Sequence, residues 1–529
     1  MDRVPMDNEA QGTINRRVAM HIKRRVSGWL TLAVFAVGGA MVAADPAFAK
    51  VDVDNLTIGG EARIRYEIRN NTSLNSNSAN ESAASHRIRV NVGYDLTPDV
   101  SFFAQLQDVR IYGSEGPFGP TTPVGAGASG IGAVSSQNNN GTGLDLHQAY
   151  ILVKNLGLPG LSLKVGRQEI MYGDHRLFGN FNWSQVGNSF DAAKLMYSTP
   201  IADVDLFWAR IFDNEIAGGC TAAGNNNCSG VIFPSNTAKG TQDQNIYGLY
   251  VTLKAVPNWT VEPYYFLLQD TRPFGVVATS TIFNTPQAAD QTRSTVGGRI
   301  NGRQGIAGGA LDATGELAWQ FGGASSGTAQ NHDMHINAWA GAFRAGYTFD
   351  PVPMKPRVGI EVTYASGDNC QHNGAAGAQT CAANGHLHTF DNLFPTNHFK
   401  FGAMDLGSWR NMVTYQGVFD VKPDAVSKLQ VNFAILRLAN HLDNWYRAGQ
   451  VIYGTTAGTN TASSIGRELD VHYWRTIKEK FKFEIGAGHF WAGSYLNPAN
   501  GNHINGATGA SLPNGSGQNW GYVMGSVLF

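Results

Sequence analysis

The chain has 529 residues, a formal net charge of −1, 63 glycines and 11% aromatic residues, but only 15% charged residues. An average soluble domain carries roughly 25% charged residues. The balance of charge excludes a basic face for nucleic acid. The low charge and high glycine content point to one unusual domain instead of several ordinary ones.

Met1–Val26 is a long leading segment with Arg16, Arg17, Lys23, Arg24 and Arg25, followed by an apolar run over Trp29–Ala44. Ala47-Phe48-Ala49 has the small-residue pattern of a signal-peptide cleavage site. The expected division is therefore a signal peptide at 1–49 and a mature domain at 50–529. No later apolar run is long enough for a transmembrane helix, which leaves an exported soluble protein or a membrane β-barrel.

Alternation of apolar and polar residues decides between these. In LTIGGEARIRYEIR, Ile64, Tyr66 and Ile68 share one face, and Glu61, Arg63, Arg65, Glu67 and Arg69 share the other. HRIRVNVGYDL repeats the scheme with Ile88, Val90 and Val92 against Arg87, Arg89 and Asn91. A sandwich buries one face but does not usually load the other with charge on consecutive strands. A barrel does, because lipid meets one face and water the other. Further on, Leu317/Trp319/Phe321, Phe343/Tyr347 and Val358/Ile360/Val362 would face lipid; Glu316, Gln320, Arg344, Arg357 and Glu361 would face the lumen. An Arg or Lys turned to the middle of the bilayer would cost about 2–4 kcal/mol.

The alternating segments predict strands near 56–69, 86–96, 100–112, 144–154, 161–171, 191–198, 203–213, 245–255, 259–270, 292–300, 312–322, 335–349, 357–366, 409–421, 427–437, 467–475, 481–491 and 518–529. TRSTVGGRI at 292–300 is a weak strand by composition; parity of the short turns requires it. The connections alternate between short turns and long polar loops, as in all-β transmembrane antiparallel barrels with short periplasmic turns and long extracellular loops. Eighteen strands is an even number, which closes such a barrel. The final NWGYVMGSVLF ends on an aromatic, Phe529, the kind of closing strand that the barrel assembly machinery takes up; Trp520 and Tyr522 suit an interface belt.

Cys220 and Cys228 lie in one Gly/Asn-rich loop, and Cys370 and Cys381 in another. Two local disulfides are expected for an exported chain. His372, His386 and His388 near the second pair match no standard zinc spacing, so no metal or other cofactor is implied. No HExxH occurs, and the close pairs Asp174-His175 and Asp470/His472 read as structural, so no enzyme is expected.

Arg63, Arg65, Arg87, Arg89, Arg110, Arg167, Arg176, Lys194 and Arg210 concentrate in the first third of the mature chain. Rings of Arg and Lys in a pore select anions. The same residues can also brace the wall by pairing with Glu61, Glu67, Asp95, Asp108, Glu169, Asp174 and Asp191. As a set they favour a cation-lined passage that conducts anions. LSLKVGRQEIMYGDHRLFGNFNWSQVGNSFD at 161–191 starts as a strand and continues as a loop too rich in aromatics and charge for the surface. It is expected to fold into the lumen, with Asp174 and Arg176 at the narrowest passage.

HRIRVNVGYDLTPDVSFFAQLQDVRIYG, LDLHQAYILV and the block LKVGRQEIMYGDHRLFGNFNWSQVGNSFDAAKL resemble the alginate export family of outer-membrane proteins. GELAWQFG, YASGD, FDNLFPTNHFKFGAMDLGSWRN and GHFWAGSYL extend the resemblance over most of the mature chain. What it implies is a monomeric barrel of eighteen strands in the outer membrane of a Gram-negative bacterium, embedded in outer-membrane lipid, with an arginine-rich pore for an anionic polysaccharide. On the matching motifs Arg63, Arg87, Arg89, Arg110, Arg167, Arg176 and Lys194 would be the pore cations, and Asp174 and Asp191 their partners. The alternative cargo is small anions or aromatic acids taken up through a general porin.

Overall fold

A computed structural model describes residues 53–71, 74, 80–112, 115–116, 119–120, 143–212, 243–271, 290–325, 332–369, 385–448, 452–456, 460–500, 502–504 and 517–529. The expected signal peptide at 1–49 and the four cysteines lie outside these residues.

The wall is built from β1 (Leu56–Arg69), β2 (Glu81–Thr97), β3 (Val100–Ile111), β4 (Gly143–Val153), β5 (Leu161–Gln168) and β6 (Phe190–Ser198). It continues through β7 (Ala202–Phe212), β8 (Gln244–Leu253), β9 (Trp259–Asp270), β10 (Gln291–Ile306), β11 (Gly309–Ala324) and β12 (Met334–Thr348). It is completed by β13 (Arg357–Ala365), β14 (Met412–Val421), β15 (Ser427–Leu438), β16 (Ser464–Ile477), β17 (Phe481–Ala492) and β18 (Gln518–Leu528). Each strand pairs antiparallel with its neighbour in sequence, and β18 pairs back onto β1, with Glu61 opposite Leu528 and Arg69 opposite Trp520. The sheet is thereby a closed antiparallel barrel of eighteen strands. Closure leaves no unpaired edge, which is what allows a sheet to stand in lipid.

The expected strands all form, several of them longer than their alternation suggested. The glycine-rich segment at 292–300 becomes β10, which runs on to Ile306 and pairs with both β9 and β11 along its length. Its turn at Ala307-Gly308 is tight because both residues take positive φ, 49° and 76°.

Outside and inside faces separate as the alternation requires. Ile64, Tyr66, Leu317, Trp319, Phe343, Val358 and Ile360 are exposed on the outer surface, where lipid covers them. Arg63, Arg65, Glu67, Arg69, Arg87 and Arg89 are buried inside. Trp520 and Tyr522 correct an expectation: they point inward, 3% exposed each, and stand against Trp183 at 6.0 and 4.8 Å between ring centres. They belong to the lumen packing and not to an interface belt.

Among the described residues, two of the long connections that turn into the barrel meet at its middle. The first is 169–189, between β5 and β6; the second is 385–411, between β13 and β14. A hydrophobic core forms where they meet the inner wall, including Phe178, Phe190, Phe207, Phe266, Phe390 and Trp409.

Candidate functional site

The site is the crossing of the lumen by these two loops. Gly173 and His175 both take positive φ, 53° and 61°, and bend the chain inward just after β5. Phe178 is then fully buried among Phe190, Phe266 and Phe394, with ring centres 4.8–5.9 Å apart. Tyr172 stacks on Tyr250 at 4.2 Å, and its hydroxyl donates to Asp205 at 3.0 Å. Aromatic contacts of this kind contribute about 0.5–1.5 kcal/mol each beyond their burial.

The two loops pair through their backbones. Gly179 N–H donates to Phe394 C=O at 2.9 Å, Phe394 N–H to Leu177 C=O at 2.9 Å, and Thr396 N–H to His175 C=O at 2.8 Å. Trp183 stacks flat on His398, with ring centres 4.0 Å apart. Across the lumen the loops thus make one hydrogen-bonded and stacked unit.

The arginines of β1 and β2 hold the first loop. Arg63 donates from Nε to Gln185 and from its two terminal nitrogens to the carbonyls of Asn182 and Ser184, each at 2.8 Å. Arg65 donates to the Trp183 carbonyl at 2.8 Å and lies over the Trp183 ring at 4.2 Å. Arg87 bonds the Ser184 carbonyl at 3.3 Å and Glu61 at 2.5 Å. Arg89 donates to Gln107 and to the Val186 carbonyl, and stands 3.6 Å from Glu169. These side chains are 0–6% exposed. These arginines face the interior and brace the first loop there.

The opposite wall is acidic. Arg176, at the middle of the loop, reaches Glu361 on β13, stands 3.9 Å from Glu316 on β11, and lies over Trp409 at 5.6 Å. Asp174 bonds Arg299 on β10 at 2.6 Å and Arg344 on β12 at 3.2 Å. Burial pushes the Asp174 carboxyl up, but Lys400, Arg344, Arg299 and Arg176 outweigh it and hold the group at about 2. Burial, followed by Arg176, pushes the Lys400 ammonium down.

The second loop is held mainly by acceptors on the wall. Ala403 N–H donates to Asp470 at 3.2 Å and Met404 N–H to Glu468 at 2.9 Å, both carboxylates on β16 and both fully buried. Gln320 on β11 accepts from Asp391 N–H at 2.9 Å and donates to the Asp391 carbonyl at 2.6 Å. At Gly402 φ is +90°, and any β-carbon would collide with the Glu468 carboxylate, so only glycine fits.

Of the pore cations implied by resemblance, Arg63, Arg87, Arg89, Arg176 and Lys194 face the interior, as does Arg65. Lys194 pairs with Asp205 at 2.8 Å beside Tyr172. Three named residues do not line the pore. Arg167 and Asp191 bond each other with two contacts of 2.9 and 3.0 Å on the outer face, in the row of Val165 on β5 and Leu195 on β6. Arg110 shares the outer row of Phe102 and Leu106 on β3, where it pairs with Asp108 at 3.2 Å, and Asp108 with His86 at 2.8 Å. All lie toward the long-loop end of their strands. Asp174 does pair with cations, but they are Arg299 and Arg344.

Sequence reasoning missed Arg299, Lys400, Glu468 and Asp470 as parts of the site. A signal existed. Phe390, Phe394, Phe399, Phe401 and Trp409 crowd 385–411 with aromatics just as 172–183 is crowded, and both loops turn inward.

Residues 54–510 match the family described as Alginate export. The chain belongs to the alginate export family. No curated protein matches it in sequence. Among solved structures, OccAB1 of Acinetobacter baumannii is similar over 92% of this chain and 99% of its own, with TM-score 0.53 and 11% identity. OccAB2 of Acinetobacter baumannii covers 90% and 98%, with TM-score 0.52 and 10% identity. OccK8 (OprE) of Pseudomonas aeruginosa covers 90% and 98%, with TM-score 0.50 and 12% identity. At these identities the likeness concerns the fold. With the family match, it makes this alginate export family protein an outer-membrane channel of a Gram-negative bacterium.

Proposed function

We propose that the channel passes small anionic solutes one at a time and does not hold an open conduit for a continuous polysaccharide chain. The observation that carries this is the crossing of the lumen by two loops joined to each other and to the wall. Their backbones pair at 175–179 and 394–396, and Phe178 packs its ring against Phe394 of the other loop and Phe266 of the wall. A threaded polymer needs that unit undone along its whole passage; a small solute needs only a local gap.

Charge supports the anionic preference. On the wall that faces the first loop, Arg63, Arg65, Arg69, Arg87 and Arg89 are served by Glu61, Glu67 and Glu169 as carboxylate partners. The guanidinium excess leaves a positive potential there, and clefts of one sign with low-dielectric walls concentrate the opposite ion. Family membership favours a second reading, export of an anionic polysaccharide, which would require both loops to swing aside.

Planar-bilayer recording separates the two. Under a salt gradient the reversal potential should report anion selectivity. A small carboxylate such as glucuronate or benzoate should shorten or block the open current, and long alginate polymer should not engage from either side. Block by the polymer at a lower sugar concentration than by glucuronate would reject the small-solute reading.

A further inference from the structure

A cavity of about 290 Å³ lies between the first inward loop and the wall of β1–β4, toward the short-turn end. That is near the lower end of the roughly 300–1,000 Å³ typical of small-molecule sites. Its lining differs from the arginine face beside it. Five carboxamides border it: Asn91, Gln105 and Gln148 from the wall, and Asn180 and Asn182 from the loop.

The three wall amides are direct cross-strand partners, Asn91 on β2 opposite Gln105 on β3, and Gln105 opposite Gln148 on β4. They form a ladder. Gln105 Nε2 donates to Asn91 Oδ1 at 2.7 Å, and Gln148 Nε2 donates to Gln105 Oε1 at 3.4 Å. The ladder continues into the loop, since Glu169 N–H donates to Gln148 Oε1 at 3.2 Å and Asn180 Nδ2 to Glu169 Oε2 at 3.0 Å.

A primary amide has two N–H donors and an oxygen with two lone pairs. The ladder uses one N–H of Gln105 and of Gln148 and one lone pair on each of the three oxygens. A donor and an acceptor therefore remain on each amide. Neighbouring strands repeat this pair at about 4.7–4.9 Å. Hydroxyl groups both donate and accept, so a row of hydroxyls satisfies such a row of amides. A simple anion only accepts, and it would also meet Glu61 and Glu169, which line the same cavity beside the single guanidinium of Arg89.

We propose that this amide-lined cavity is a binding site for the polyhydroxylated part of a solute, a single sugar-sized ring, recognised through its hydroxyls and not its charge. The inference rests on the small-solute reading and narrows it: a solute that carries an anionic group and a hydroxylated ring would use both the arginine wall and this site, whereas an aromatic acid would use only the first.

The test is current recording in planar bilayers with the full-length protein. Glucose, neutral and rich in hydroxyls, is the probe; cyclohexanol, a ring with one hydroxyl, is the control. Glucose should interrupt the wild-type current and cyclohexanol should not. In Gln105→Met/Gln148→Met, which keeps side-chain length and removes two amides, the residence time of glucose should fall by about tenfold or more. No interruption by glucose in the wild type, equal interruption by cyclohexanol, or an unchanged residence time in the variant overturns the site. If the double variant does not insert, Gln148→Met alone, at a half-buried position, is read by the same criterion with a fall of about threefold. The reversal potential recorded in the same bilayers tests the anionic reading separately: glucose without effect on an anion-selective channel removes only the site, and glucose interruption of a channel with no anion preference removes only the anionic reading.

Discussion

The two inward loops are docked by different chemistries. Loop 169–189 gives up backbone carbonyls to the guanidiniums of Arg63, Arg65, Arg87 and Arg89. Loop 385–411 gives up backbone N–H groups to Glu468, Asp470 and Gln320, and carbonyls to Arg69, Gln320 and Gln416. A loop inside a barrel has no strand partner for its backbone, and an unpaired buried peptide group is costly. The wall supplies guanidinium donors to the first loop and a mixture of carboxylate and amide partners to the second. The charged inner face thus solves a folding problem as well as setting a potential. Arg176 joins the two systems, because it lies on the arginine-docked loop but reaches the acidic wall at Glu361 and Glu316.

The largest effect is therefore expected at that junction. Arg176→Met leaves Glu361 and Glu316 buried beside an apolar side chain. Removing one partner of a buried pair costs about 3–5 kcal/mol. The first loop should detach, the single-channel conductance should rise, and protease should cut within 169–189. Loop 385–411, held by its own contacts to β16, should stay protected. Simultaneous cutting of both loops would mean that they form one cooperative unit.

A smaller effect comes from pH. Asp174 is held at about 2 against an ordinary value of 3.8 by Lys400, Arg344, Arg299 and Arg176 together, so these interactions stabilise the docked loop by about 2–3 kcal/mol. A lowered carboxyl contributes fully above its unfolded value and loses the contribution as pH falls through its folded value. The docked loop should be unchanged between pH 7 and about 4.5 and should loosen as the pH falls from about 4 to 2. Pepsin digestion at graded pH reads this directly, and Asp174→Asn should remove the step. Cleavage that begins at pH 5 would place the sensitive group elsewhere.

Much of this architecture is legible in the sequence because a barrel wall between lipid and water enforces a period of two. Even β10, with its weak TRSTVGGRI, follows from the parity of turns. The inward loops are half legible. Aromatics in 172–183 are too many for a surface loop, but nothing local to the chain says that Phe178 meets Phe394, over two hundred residues away. Nor does alternation reveal how a loop is held: the partners of Arg63 are carbonyls of residues 182 and 184, which carry no sequence signature. Arg110, Arg167 and Asp191 are a different case. Strict parity carries Arg167 with Leu163 and Val165, Asp191 with Ala193 and Leu195, and Arg110 with Leu106, all outward. A charge there is tolerable because each has an opposite charge beside it: Arg167 with Asp191, and Arg110 with Asp108.

That distinction yields the smallest expected effect. The Asp191 side chain is 55% exposed and the Arg167 side chain 23% exposed in the structure, at the long-loop end of the wall. Exposed pairs of this kind contribute about 0–1 kcal/mol. Arg167→Glu should leave the reversal potential and the melting temperature close to wild type, because the charge sits on the far side of the wall from the lumen. Arg89→Glu, at the same change of charge, replaces a donor to the Val186 carbonyl and puts a carboxylate beside Glu169. It should lower anion selectivity measurably. Equal shifts in reversal potential from the two variants would mean that the field of the rim reaches the permeating ion as strongly as the field of the inner wall, and the division of the arginines into inner and outer sets would lose its functional meaning.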